Sequence, residues 1–360
     1  MVGDGDRKEL TRRGDVLATR RREYDEDDVR VRPGKSSRPR TRTRPRHENA
    51  VDGFVIAVDR GRYTCVLPDA GPDAPTVTAM RARELGRKSV VVGDRVGLVG
   101  DTSGAPGALA RIVRIAERTS VLRRTAEDDA TTAEGRLERV VVANADQLVI
   151  VSALADPPPR TGFIDRCLVA AYDAGLDPLL LLTKADLASP RKIRAFYAPL
   201  DLPMLTTRRP LPPRTLSQVR NVLTGRISVL IGQSGVGKST LVNTLVPEAA
   251  RTTGTVNPVT GRGRHVSSSA VALPLGDGWL IDTPGLRGFG LGHMSLDRVV
   301  EAFGDLAEGT AGCPPGCDHL SPGCALDEWS REHHAQARLD SLRRLLRSRE
   351  DTAPDWPTAS

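Results

Sequence analysis

Gly232-Gln233-Ser234-Gly235-Val236-Gly237-Lys238-Ser239-Thr240, preceded by the apolar run Ile227-Ser228-Val229-Leu230-Ile231, decides how this chain is read. The run predicts a buried strand. The residues from Lys238 through Leu241, Val242 and Leu245 predict a helix, so the G-x-x-x-x-G-K-[ST] spacing sits in the strand-loop-helix setting it requires. Glycines at 232, 235 and 237 let the backbone turn its N–H groups inward around phosphate oxygens, where a Cβ would stand in the way. The helix then aims its positive end at the same anion. In such a loop Lys238 reaches the β- and γ-phosphates and the Ser239 hydroxyl ligates Mg²⁺.

Upstream, Leu148-Val149-Ile150-Val151 and Leu179-Leu180-Leu181-Leu182 read as continuous buried strands of a parallel sheet. Phe163, Ile164, Cys167, Leu168 and Ala171 recur at helical spacing between them. At the carboxyl end of the second strand, where open α/β sheets bind ligands, stands Thr183-Lys184-Ala185-Asp186. Asp186 offers acceptors to the N1–H and 2-amino group of guanine, both absent from adenine, and the Lys184 stem would lie along the ring. A helix over Arg191 to Tyr197 and a strand around Leu202 to Leu205 lead to Thr206-Thr207, where a backbone contact to the base is expected. Downstream, the Gly/Arg/Ser stretch from Gly261 to Ser268 suits a switch closing over a γ-phosphate and Mg²⁺. A hairpin of Val271 to Leu275 and Trp279 to Ile281 ends at Asp282-Thr283-Pro284-Gly285. There Asp282 would hold Mg²⁺ through water and the Gly285 N–H would sense the γ-phosphate. Ordinary GTPases begin with the phosphate loop and end with the base reader; here the order is reversed. A circular permutation would still bring the three loops to one sheet edge.

Near the end, Cys313, Cys317, His319 and Cys324 fall within twelve residues rich in Gly and Pro, a donor set suited to one tetrahedral, structural Zn²⁺. A closing helix from about Asp327 to Arg349 would bury Leu339, Leu342, Leu345 and Leu346 and show Arg338, Arg343, Arg344, Arg347 and Arg349, as a solvated face or an RNA contact. In front of the α/β pattern lie five short strands: Gly53–Val58, Arg62–Leu67, Thr76–Arg83, Val90–Val99 and Ala110–Ile115. They predict a small barrel of the oligonucleotide-binding (OB) type. Residues 1–50 read as a disordered arm. The net charge of +7 is concentrated there, with eight Lys and Arg and no acid between Arg30 and Arg46, either to follow a phosphate backbone or as a solvated tail. Aromatics make up 3% of the chain, so backbone contacts should outweigh base stacking in any grip on RNA. No stretch approaches the roughly 18 apolar residues that span a bilayer, and the first residues lack the apolar core of a secretory signal. Five cysteines, three of them clustered, argue against a disulfide framework and for a reducing cytoplasm.

The order T-K-A-D, G-Q-S-G-V-G-K-S-T, G-R-G-R-H, D-T-P-G and Cys-Cys-His-Cys behind a barrel resembles the ribosome small subunit-dependent GTPase A family, circularly permuted bacterial GTPases. Gly93-Asp94-Arg95-Val96 and Asn144-Ala145-Asp146 match as well. The resemblance implies a multidomain chain. A basic arm (1–50) would precede an OB-type barrel (51–125), a permuted α/β P-loop GTPase domain (126–292), a helical zinc-binding domain (293–350) and a tail (351–360). It implies a cytoplasmic, monomeric enzyme without membrane or DNA partners that hydrolyses GTP to GDP on the small ribosomal subunit and its rRNA. It also implies that His265 assists hydrolysis, since Leu286 stands where Ras-like enzymes place a water-orienting Gln. Three departures stand out: Thr183 replaces the usual Asn, so a bridging amide is lost and weaker guanine binding is expected. Ser267 or Ser268 must supply the switch hydroxyl, and the metal spacing is tighter than the family pattern. Competing readings are a nucleotide-gated RNA-binding module with negligible catalysis and a P-loop ATPase.

Overall fold

The computed structural model describes residues 47–68, 75–86, 89–125, 138–247, 270–283 and 296–348. Residues 1–46 of the arm, the 261–268 switch with His265, Ser267 and Ser268, Gly285 and Leu286, and Arg349 with the tail all lie outside them. The five amino-terminal strands are β1 (Val51–Asp59), β2 (Arg62–Val66), β3 (Val77–Arg81), β4 (Arg95–Gly100) and β5 (Ala110–Ile115). They pair in the order β1-β2-β3-β5-β4, and β4 returns to β1, closing the barrel. Only β3 and β5 run parallel in it. Residues alternate along the strands, so Val55, Cys65, Ala79, Leu98 and Ile112 fill the interior. The β1–β2 hairpin turns through Arg60 and Gly61, both at positive φ, as a tight right-twisted hairpin demands.

A second pair, β6 (Val121–Thr125) and β7 (Glu138–Ala143), flanks the polar stretch that follows the barrel. Beyond it come β8 (Gln147–Ala153), α1 (Thr161–Asp173), β9 (Asp177–Thr183), α2 (Arg191–Tyr197), β10 (Met204–Thr206) and α3 (Pro213–Leu223). Then follow β11 (Ile227–Gly232), α4 (Lys238–Leu245), β12 (Val271–Leu275) and β13 (Gly278–Asp282). The sheet order is β10-β9-β8-β11-β13-β12, parallel except for β12. Because both faces are covered, its strands carry unbroken apolar runs, such as Leu148–Val151, Leu179–Leu182 and Val229–Ile231, and the buried Ser228 hydroxyl of β11 is paired with Gln147 Oε1 of β8. Leu148, Ile150, Leu180 and Leu182 pack towards α1 and α2, whereas Val149, Val151, Leu179 and Leu181 pack towards α3 and α4.

Barrel and sheet meet along a seam where β12 pairs with β1 at Ala57 and Val271. Phe54 lies against Trp279 with ring centroids 5.1 Å apart. The matched G-D-R-V and N-A-D residues make this seam. Fully buried Asp94 accepts from the Val91 N–H at 2.8 Å and from both Arg118 Nε and Nη2. Asn144, at φ 55, donates from Nδ2 to the Gly93 carbonyl at 2.8 Å and accepts from the Thr119 N–H at 2.9 Å. Asp146 caps the start of the central strand by accepting from the Ile227 N–H at 2.7 Å.

The carboxyl-terminal helices are α5 (Leu296–Glu301), α6 (Gly304–Gly309), α7 (Leu326–Glu332) and α8 (Gln336–Arg347). The single closing helix expected from Asp327 to Arg349 is in fact two. His334 takes φ 56 and the Ala335 N–H reaches back to the Ser330 carbonyl at 2.8 Å, a left-handed cap that ends α7. The arginines of α8 are not a solvated face. Arg338 binds Asp201, Asp305 and the Pro199 carbonyl; Arg343 binds Asp327 and the His319 carbonyl; Arg344 binds Asp165 of α1. Arg347 alone of the described set is exposed. Among the described residues no helix is long and apolar enough to cross a membrane.

Candidate functional site

In β8, β9, β11 and β13 the strand register aligns Val151 with Gly232, Ala153 with Thr183 and Leu230 with Asp282. The carboxyl ends of four parallel strands therefore share one edge, whatever their order in the chain. A cleft of about 750 Å³ opens there. Its wall includes Lys184 and Asp186 after β9, Gly232, Gln233, Ser234, Gly235, Gly237, Lys238, Ser239 and Thr240 around the phosphate loop, and Asp282 after β13. Asp186 and Lys238 thus face one continuous space.

The loop has the conformation its glycines permit. Gly235 and Gly237 take φ 81 and 93, and Gly237 caps α4. At Gly232 a Cβ would come within 2.7 Å of the Val151 carbonyl oxygen. Lys238 Nζ is ion-paired with Asp282 Oδ1, an arrangement that neutralises both groups at the mouth of the helix. Val236 is buried and its carbonyl accepts from Thr183 Oγ1 at 2.6 Å. The bridge expected to be lost with the Asn is therefore kept in another form, because a hydroxyl on β9 is long enough to reach the loop backbone.

At the other end, Lys184 sits at φ 58 with Nζ donating to the Asp156 carbonyl. Asp186 Oδ1 accepts from the Arg209 N–H at 2.9 Å. That bond, the largest of several contributions, holds the Asp186 carboxyl below its ordinary range and keeps it an acceptor. Thr206 and Thr207 do not line the cleft. The Thr207 N–H and carbonyl are taken by Leu182 and Ala185 across the strand ends, and Arg209 is the residue of this loop that reaches the cleft. Asp156, Leu187 and Arg209 are lining residues that the motif reading missed. Asp156 was open to discovery by the rule that located Thr183, since it follows the carboxyl end of β8; nothing in the local pattern marks Arg209.

Cys313, Cys317, His319 and Cys324 gather their ligand atoms within 4.8 Å of one another. A tetrahedral Zn²⁺ with bonds of about 2.3 Å to sulfur and about 2.0 Å to nitrogen sets ligand atoms roughly 3.5–3.8 Å apart. Among Cys313, His319 and Cys324 the separations are 3.7 Å for Sγ to Sγ, 3.7 Å for Cys313 Sγ to His319 Nδ1 and 3.6 Å for Cys324 Sγ to His319 Nδ1, and Cys317 Sγ lies within 4.8 Å of all three. The donor set fits a structural zinc. Burial pushes the Cys324 thiol up to about 12, so a thiolate there needs a cation beside it. Arg343 fixes the cluster from behind by donating to the His319 carbonyl at 2.9 Å.

A family model described as RsgA GTPase matches residues 115–292. Over 271 residues the chain is 38% identical to the small ribosomal subunit biogenesis GTPase RsgA of Pseudomonas syringae pv. tomato, covering 72% of this chain and 75% of that protein. The protein of that name from Pseudomonas aeruginosa is 38% identical over 226 residues, 60% of this chain and 66% of its own length, so that match spans just under two thirds of the relative. The crystal structure of YloQ, a circularly permuted GTPase, is similar in fold, with a TM-score of 0.59 at 21% identity over 87% of this chain and 99% of that one. With a permuted order of loops converging on one cleft and a zinc-type cluster following them in sequence, the chain belongs to the RsgA GTPase family.

Proposed function

We propose that this protein binds the small ribosomal subunit late in its maturation and hydrolyses GTP to GDP and phosphate, faster when bound. The observation that carries the reading is the single cleft of about 750 Å³ shared by Asp186 and Lys238, a guanine-reading carboxylate and a phosphate-reading ammonium. Loop amides from Gly232 to Gly237 and the N-terminus of α4 bind the phosphates, Thr183 fixes the loop to the base end, and Lys184 lies along the ring. Lys238 exchanges its pairing with Asp282 for phosphate oxygens. Ser239 and, through water, Asp282 would hold Mg²⁺, which neutralises developing charge between the β- and γ-phosphates. Gly285 and His265 belong to the same site in this reading, His265 supplying the group that orients water and Ser267 or Ser268 the switch hydroxyl. The barrel and the zinc-binding helices are assigned to ribosomal RNA, with the protein acting as a cytoplasmic monomer and neither DNA nor membrane as a partner.

Purified small subunits should raise the rate of GTP hydrolysis by roughly tenfold or more, because positioning groups come from the partner. A rate unchanged by subunits removes the ribosome from the proposal. Independently, Asp186→Asn should move nucleotide preference from guanine towards xanthine, and retention of guanine preference removes Asp186 from base recognition.

A further inference from the structure

Arg209 touches the cleft twice. Its main-chain N–H is bonded to Asp186 at the base end, and its guanidinium Nη2 donates to Thr240 Oγ1 at 2.6 Å, in the first turn of α4. The side chain therefore crosses the cleft from the base-reading carboxylate to the phosphate-binding helix. A nucleotide laid between Asp186 and Lys238 has its ribose and α-phosphate in that interval, since the loop and helix amides beside Thr240 cradle the α- and β-phosphates.

The charges of the cleft point the same way. The ammonium of Lys238 is paired with Asp282 and that of Lys184 with the Asp156 carbonyl. Among the described residues, the Arg209 guanidinium has a neutral hydroxyl as its hydrogen-bond partner and no carboxylate within ion-pair distance, although its charge also acts on Asp186 from farther off. A planar five-donor cation resting on a hydroxyl loses little when a phosphate oxygen takes that place, and gains a charge-assisted bond. We infer that Arg209 is a nucleotide-binding residue whose guanidinium binds the α-phosphate common to GDP and GTP, while its main-chain amide holds Asp186 in the base-reading position. The inference rests on the guanine-nucleotide reading of the cleft and adds a residue to it.

Alanine separates the two roles, because Arg209→Ala removes the guanidinium and keeps the amide. Calorimetric titration of the full chain with GDP and with GTP should show both weakened by the same factor, roughly tenfold, as for loss of one hydrogen bond to a charged group. Arg209→Lys, which keeps the charge without the fork, should fall between wild type and alanine. Guanine over xanthine preference should stay as in wild type. The thermal transition should not move, since the side chain is exposed. Affinities of Arg209→Ala within about twofold of wild type would overturn the inference. A loss confined to GTP would overturn it too, by placing the guanidinium at the γ-phosphate. Failure of wild type to bind GDP at all would instead remove the nucleotide reading of the cleft, and this inference with it.

Discussion

At Thr183 a single proton decides how the base end and the phosphate end are joined. The hydroxyl donates at 2.6 Å to the Val236 carbonyl, and the Ser152 carbonyl at 3.5 Å is too distant to compete for it. An Asn amide would bring two donors, one for the loop and one for a ligand; a hydroxyl brings one, already engaged. Replacing Thr183 with Val preserves shape and deletes the donor, leaving the carbonyl of a buried residue unpaired inside the loop. The expected result is GDP binding weakened by about tenfold, corresponding to the 1–3 kcal/mol that an unsatisfied buried carbonyl costs. Thr183→Asn should bind GDP more tightly than wild type. Equilibrium titration of the three proteins checks both directions, and a valine variant that binds like wild type would mean the loop holds its shape without the bridge.

Among elements, the seam between β1, β4 and β7 shows why a short matched motif is where it is. Gly93 takes φ 92, donates its N–H to the Val55 carbonyl and accepts Asn144 Nδ2, and any Cβ on it would lie 2.0 Å from the Ala143 carbonyl oxygen. Gly93→Ala must therefore push two backbones apart and hold alanine at a positive φ, a combination expected to cost about 2–4 kcal/mol. Denaturant unfolding should show that loss, while GDP affinity changes little because the cleft lies at the far ends of β8, β9 and β11. The strands that carry the cleft were readable because burial on both sides gives them unbroken apolar runs, as in Leu179–Leu182, and the barrel because its strands alternate. Other features were hidden by physics that a linear pattern does not carry. The α3 helix begins at a proline pair and its charged outer positions mask its period, with Val219 and Leu223 its buried anchors. The break at His334 is one backbone dihedral, and Arg209 joins the cleft only through contacts with residues 23 and 31 positions away.

Across the whole molecule, α8 helps fasten the zinc-binding helices to the nucleotide-binding sheet, and its Arg344 reaches the most buried carboxylate of these links, Asp165. The guanidinium donates from Nε to Asp165 Oδ2 at 3.0 Å and lies 4.1 Å from the centroid of Phe196; Asp165 also accepts from the Tyr197 hydroxyl at 2.9 Å. Tyr197 in turn reaches the Thr161 carbonyl at the start of α1, just beyond the Asp156 loop that holds Lys184. Burial raises the Asp165 carboxyl above its ordinary value, and the charge of Arg344 is the first of the groups that pull it back. Arg344→Met keeps the packing on Phe196 and removes the charge, so the Asp165 carboxyl must rise further. A carboxyl whose folded pKa exceeds its unfolded one contributes fully below the unfolded value and loses that contribution as pH climbs through the folded value. The penalty of the variant should accordingly grow from acid to neutral pH, reaching about 3–5 kcal/mol there, the usual result of stranding one member of a buried pair. Urea unfolding of wild type and variant across that range measures it. Adding Asp165→Asn to Arg344→Met should flatten the dependence, and a penalty equal at every pH would assign the role of Arg344 to ring stacking instead of charge.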